Sequence, residues 1–234
     1  MDRESWRSGL RAGAPFAAAS FVLSASFGVA ATGVGFTPWA AVLMSAVVFA
    51  GSAQFAAVGV LASGGTAGPA ILAATLMNAR FLPMGIAFGQ SLPGGPVRRA
   101  LQGQPVVDAS WAMAMDVRGR FDRWYLFGHS AIQYVAWVAG TALGAYGGSW
   151  IRDPEAFGLD ALFPGFFVAL LFNELRDRQG VAVALGGAAL ALALLPFTPP
   201  GVPLVAAALV ALVGLHPRME RGSADPDPEE GEPA

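Results

Sequence analysis

Residues Ala50 to Gln90 read AGSAQFAAVGVLASGGTAGPAILAATLMNARFLPMGIAFGQ, and no other stretch limits the fold as tightly. It is apolar enough for a bilayer. Yet it carries Gln54, Asn78 and Arg80, and it is interrupted by Gly51-Ser52, Gly64-Gly65 and Pro83. An arginine near the centre of a lipid-exposed helix costs roughly 2.5–3.5 kcal/mol on insertion scales. A proline there frees backbone groups that something else must satisfy. Polar side chains combined with helix breaks at membrane depth are how transporters build substrate sites.

The remaining composition agrees with a membrane chain and removes several chemistries. Of 234 residues, 55% are apolar and 13% charged, against about 25% charged in soluble domains. Basic and acidic residues number 14 and 16, and no basic patch with interleaved aromatics is present, so a nucleic-acid partner is not expected. With no cysteine and two distant histidines, disulfides, thiolate catalysis and a Cys- or His-based metal site are not expected. No phosphate-cradling loop and no nucleophile-base set can be read. The chain is therefore expected to be neither an enzyme nor a cofactor protein.

The expected fold class is all-α, a polytopic membrane bundle of seven to eight segments, some discontinuous. About 20 apolar residues cross a bilayer as a helix. Residues 1–14, with Arg3, Arg7 and Arg11, read as a cytoplasmic segment, 15–215 as the transmembrane domain, and 216–234 as a disordered acidic tail. Spans are expected at 15–35, at 38–62 after Thr37-Pro38, at 67–90 after a Gly64-Gly65 turn, and at 124–148 with Gly140 and Gly144 as a small-residue packing face. Three more are expected at 160–174, 180–196 and 201–215. Residues 91–105 read as a loop, and Val106–Met115, holding Asp108, is short for a span and reads as a half-helix or re-entrant piece. If it does not cross, there are seven spans and the termini lie on opposite sides. If it does, there are eight and both termini are inside, which the positive-inside rule slightly favours. Prolines early in two apolar segments, Pro38 after Phe36 and Pro164 after Phe163, fit an internal repeat of inverted topology.

MSAVVFAGSAQFAAVGVL, TLMNARFLPMGIAF and GLDALFPGFFVALL resemble the signature stretches of the AzlC family, the large subunits of two-component branched-chain amino acid exporters. The resemblance covers about residues 15–215, and Phe49 to Phe55 is its most specific part. It implies export of hydrophobic amino acids across a bacterial inner membrane, coupling to the proton gradient, and a small AzlD-type membrane subunit as partner. The alternative is an importer or channel for a small polar solute. Two positions depart from the family pattern. Asn78-Ala79-Arg80-Phe81 stands where the family has Asn-Leu-Arg-His, and Val107-Asp108-Ala109 where it has Thr-Asp-Glu, so two titratable groups are lost.

The candidate substrate-binding residues are Gly51, Ser52, Gln54, Phe55, Asn78, Arg80 and Asp108. A guanidinium such as Arg80 can grip a carboxylate bidentately. The bland alternatives are an ion pair with Asp108 or a side chain snorkelling to the interface. Pro83 cannot donate to the Ala79 carbonyl, so a break is expected there. Asn78 and Arg80, two residues apart, share a site only if the helix unwinds; otherwise this is a kink. A half-helix starting at Ser52 would offer a hydroxyl cap and free N–H groups to an anion, with Gln54 beside them. Close packing and an interhelical amide bond explain the same residues. Phe55, Met77 and Phe81 would line a side-chain pocket. Asp108 could hold the substrate amine or a proton, or be a loop acid. His129, near the start of the 124–148 span, could relay a proton or lie at the interface. Asp160, Asn173 and Glu174 read as residues of helix ends.

Overall fold

The structure, a computed structural model, describes residues 2–116, 119–148 and 178–198, with isolated positions between 165 and 175 and between 202 and 210. The chain divides into two compact units, residues 1–167 and 168–234. The spans expected at 160–174 and 201–215, Asp160, Asn173, Glu174, the Phe163-Pro164 half of the proposed repeat and the tail fall outside the described residues or only touch them.

In the first unit, α1 (Arg3–Gly33) is capped by Asp2, whose carboxylate accepts from the Glu4 and Ser5 N–H groups. It absorbs most of the segment read as a separate N-terminus. The other elements are α2 (Pro38–Val48), α3 (Gly51–Ala62), α4 (Ala67–Asn78), α5 (Phe81–Gly89), α6 (Pro96–Gly103), α7 (Asp108–Ala114) and α8 (Arg123–Gly147). Pro38 opens α2 behind Thr37, as proline suits a first helical turn. Gly64, at φ +84°, turns α3 into α4. The loop read at 91–105 contains α6; its Pro96 sits at the first turn behind Gly95. In the second unit, α9 (Arg178–Leu194) turns Gly186 and Gly187 towards Val210 and Ala207.

Two long helices make the frame. α8 is capped by Asp122, and Ser5 on α1 donates to that same carboxylate at 2.6 Å. Gly9 faces the Tyr125 carbonyl, Gly128 that of Trp6, Gly140 that of Phe21 and Gly144 that of Ala25. Both numberings rise together, so α1 and α8 run parallel. One constant offset (Trp6 to Tyr125, Gly9 to Gly128, Phe21 to Gly140, Ala25 to Gly144) exchanges the pair. The two helices therefore pack as a parallel, locally two-fold pair; the inverted repeat suggested by Pro38 and Pro164 is a separate relation that the described residues do not test.

Against this frame, the segment read as the span 38–62 does not continue in one direction. Ser45 bonds Thr141 at 2.8 Å and the Ala46 carbonyl accepts from Tyr134 at 2.8 Å, so α2 descends α8 from its C-terminal end. Phe49, buried at φ 42°, turns the chain. Gln54 on α3 then reaches back to Ser45 at 3.0 Å. A straight helix would put those residues more than 13 Å apart by its ~1.5 Å rise per residue. α2 and α3 form a hairpin whose tip lies level with the middle of α8.

α4 and α5 together are long and apolar enough for one broken span or a re-entrant pair, with a bend of 43° between them. Phe88 near the end of α5 meets Phe121 and Phe127 by the N-terminal end of α8. The chain then folds back: Gln104 donates to the Val47 carbonyl at the first hairpin's tip (3.3 Å), and α7 descends beside α5, with Trp111 donating to the Met84 carbonyl at 3.3 Å. Val106–Met115 is therefore a half-helix that returns to the end it came from. Among the described residues, α1 alone is long and apolar enough to cross a membrane unbroken.

Candidate functional site

Two helix breaks and the start of α7 converge at the level of the hairpin tip. The first break is built from small residues. Phe49 takes the left-handed conformation, Ala50 is the extended N-cap, and Gly51 begins α3. A Cβ on Gly51 would lie 2.5 Å from the Trp137 ring, so glycine is what lets the tip sit against α8. Ser52 is not the N-cap, contrary to the expectation. It lies one residue inside the helix, and its hydroxyl faces across to α4–α5 instead.

The second break is a kink, not an unwound segment. Ala79 and Arg80 both keep right-handed helical angles. Pro83 has no N–H for the Ala79 carbonyl, but Leu82 supplies one at 3.1 Å by a three-residue step. The carbonyl expected to be free is satisfied, and the tightened turn produces the bend. Asn78 lines the cavity described below, whereas Arg80 faces Ser52 and Asp108.

Arg80 joins the three elements. Its Nη2 donates to Ser52 Oγ at 2.8 Å and pairs with Asp108 Oδ2 at 2.9 Å. The guanidinium stands 5.3 Å from the Phe81 ring centroid, within cation–π range. The side chains are 36% and 55% exposed for Arg80 and Asp108, so the pair is open to solvent or ligand. Two polar atoms here are buried and unpartnered among the described residues, Arg80 Nε and Asn78 Oδ1. A buried donor or acceptor left unmade costs about 1–3 kcal/mol, which a water or a ligand group would relieve.

Asn78 opens onto a cavity of about 490 Å³. The hairpin tip (Val48, Phe49, Ala50) forms one wall. One face of the bent helix (Asn78, Phe81, Leu82, Gly85, Ile86) forms the second, and Arg99, Gln104 and Val106 close it. Most of this lining is apolar. A donor can be held there at Asn78 and a hydrophobic body along the apolar walls; Arg80, Ser52 and Asp108 do not line this cavity, and Arg80 is next to it in sequence through Phe81.

Four of the other residues singled out in the sequence lie elsewhere. Gln54 is fully buried, and both ends of its amide are used: it donates to Ser45 and accepts from the Trp137 indole N–H at 3.0 Å. Phe55 packs edge-on to Phe27 and Trp137 in the core. Met77 packs with Ala56, Ala57, Ala70 and Ala73. His129 is buried on the α1–α8 seam, its Nδ1 2.8 Å from Gln133 and its ring against Phe16 and Tyr125. Phe49, Leu82, Ile86 and Arg99 were missed. The helical period from Asn78 carries a signal for Leu82 and Ile86; no local pattern announces Phe49 or Arg99. Among the described residues no acidic, histidine or cysteine cluster could hold a metal.

A family model described as AzlC protein matches residues 15–151. An uncharacterized membrane protein of Archaeoglobus fulgidus is 31% identical over 87% of this chain and 91% of its own. Inner membrane protein YgaZ of Escherichia coli is 30% identical over 70% of this chain and 71% of its own. The branched-chain amino acid transport protein AzlC of Bacillus subtilis is 25% identical over 76% of this chain and 71% of its own. No solved structure matches significantly. Extended coverage by the family model and these relatives answers the resemblance read from the residues: the chain belongs to the AzlC family.

Proposed function

We propose that this chain is the large subunit of a secondary transporter that exports branched-chain and other hydrophobic amino acids across a bacterial inner membrane, working with a small AzlD-type membrane subunit. The observation that carries the reading is the pair of buried, unpartnered atoms at the kink, Arg80 Nε and Asn78 Oδ1, beside an apolar cavity. An α-amino acid supplies the complement. Its carboxylate accepts from the Nε and Nη2 edge of the guanidinium, and its side chain reaches past Phe81 into the cavity, which Arg80 itself does not line. The name of the Bacillus subtilis relative supports the same class of cargo.

A carboxylate on that edge competes with Asp108 for Nη2. Substrate binding therefore loosens the tie between α7 and the bent helix, and Asp108, once released, is the proposed proton carrier. His129 is the second titratable candidate. α1, α4–α5 and α8 are proposed to cross, with α2–α3 and α6–α7 folding back from opposite sides. With the segments at 160–174, 178–194 and 201–215, this makes eight embedded segments. The N-terminal ends of α1 and α8, with Arg3, Arg7, Arg11, Arg120 and Arg123, then share the cytoplasmic side.

The test is loss of preloaded labelled leucine, valine and methionine from cells making the chain and its small partner. A charged hydrogen bond is worth about 1.5–3 kcal/mol, so Arg80→Ala at equal membrane levels should slow efflux about 10- to 100-fold. Unchanged efflux in that variant would overturn the reading.

A further inference from the structure

Glycine in a packed membrane helix usually marks close approach of a neighbour. Gly85 on α5 does not. Among the described residues, a Cβ built there meets nothing within 4 Å, although the residue lines the cavity. The same lack of contact holds for Gly89, one turn further along that lining face. Gly costs helix stability relative to alanine, so at Gly85 neither packing nor backbone demands it. A side chain at Gly85 would project into the open space of the cavity.

Position follows from helical geometry. Gly85 lies seven residues beyond Asn78, about 10 Å along the axis. Leu82 stands between them on the same lining face, with Ile86 beside Gly85. An amino acid anchored at Arg80 and directed past Phe81 would bring a short side chain only to the level of Leu82. A long one would reach the space in front of Gly85.

We infer that Gly85 determines substrate size: it holds open the distal end of the cavity, so that amino acids with long apolar side chains are accepted along with short ones. This inference rests on the proposed amino-acid site. An acyl chain of the surrounding lipid is the rival occupant, and it predicts no dependence on substrate length.

The experiment compares efflux of labelled alanine, valine, leucine, methionine and phenylalanine from cells expressing the native chain, Gly85→Ala, Gly85→Val or Gly68→Val, each with the small partner. Gly68 is an exposed α4 glycine that also meets nothing within 4 Å and does not line the cavity, so its variant controls for adding a β-branched side chain. Detergent-extracted protein is checked for melting temperature; Gly85→Ala should melt no lower than the native chain. Gly85→Val is expected to lower methionine and phenylalanine efflux about tenfold, the scale of pocket-size discrimination, while alanine and valine stay within about twofold. Gly85→Ala should act in the same direction, more weakly. A profile unchanged across the series, or lowered equally for every substrate in both Gly85 variants, overturns the inference and leaves the amino-acid reading standing. If the native chain exports none of the five, the amino-acid reading fails and this inference with it.

Discussion

The α1–α8 seam and the Arg80 kink use the same residue types for opposite ends. On the seam, glycines at 9, 13, 28, 128, 140 and 144 all face backbone so closely that a Cβ would collide with it. Along α5, among the described residues, the glycines meet nothing, the kink leaves polar atoms unpartnered, and an ion pair stands open to ligand. One region is fitted to hold a single arrangement and the other to accept something. Stability and transport should therefore separate by mutation, and the widest separation comes from the seam.

Gly144→Val is expected to have the largest effect. Its side chain would collide with the Ala25 carbonyl where the pair is tightest, near the C-terminal end of α8. Overpacking of this kind costs about 3 kcal/mol or more when backbone must move. Size-exclusion and thermal-melt measurements in detergent should show little folded protein. A well-folded Gly144→Val would mean that the seam is not the rigid frame, and the contrast would collapse.

The next effect lies where the two regions meet. Gln54 ties the hairpin tip to α8 through Ser45 and Trp137, and Thr141 extends the chain of bonds. Gln54→Leu would leave the buried Trp137 N–H without a partner, at a cost of about 1–3 kcal/mol. The melting temperature should fall, and the apparent KM should rise because Ser52, two residues away, loses its placement against Arg80. A KM change with an unchanged melting temperature would instead put Gln54 in contact with substrate.

These cases show which features were legible. Helix extents such as the 124–148 span are set by local apolarity and caps, so sequence located them within a residue or two. The Arg80–Ser52–Asp108 grouping was within reach because charge at membrane depth needs a partner. The fold-back of α2 on α3 was not, since its cause is the left-handed Phe49, a non-glycine that no turn signal marks. The helix at 96–103 was hidden because Gly and Pro read as a loop, although Pro96 opens that helix. Gln54 was placed at the site because an amide at depth must be bonded; sequence could not say that Trp137 and Ser45 bond it.

Asp108→Asn should give the opposite signature to the seam variant. Open ion pairs contribute roughly 0–1 kcal/mol, so the protein should melt near the native temperature. Efflux should nevertheless fall about tenfold, the effect of about 1.4 kcal/mol, if Asp108 exchanges with the substrate carboxylate and carries the proton. Efflux measured across external pH should also lose its pH dependence.

His129 gives the smallest expected effect and the sharpest version of the comparison. It is the other titratable candidate, but unlike the exposed Asp108 it is buried and belongs to the seam: Gln133 holds Nδ1, and Phe16 and Tyr125 pack its ring. Its Nε2 is buried without a partner among the described residues, so the second nitrogen is either idle or the carrier of a moving proton. The two uses differ in their pH profile. His129→Gln keeps an amide near Gln133 and removes the titration. If the seam is only a frame, efflux stays within about twofold, the scale of a ~0.5 kcal/mol perturbation, and its pH profile keeps the native shape while that of Asp108→Asn is flat. A flat profile in His129→Gln, at native melting temperature, would move the proton route onto the α1–α8 seam. The frame would then be part of the transport machinery, and the division between the two regions would no longer hold.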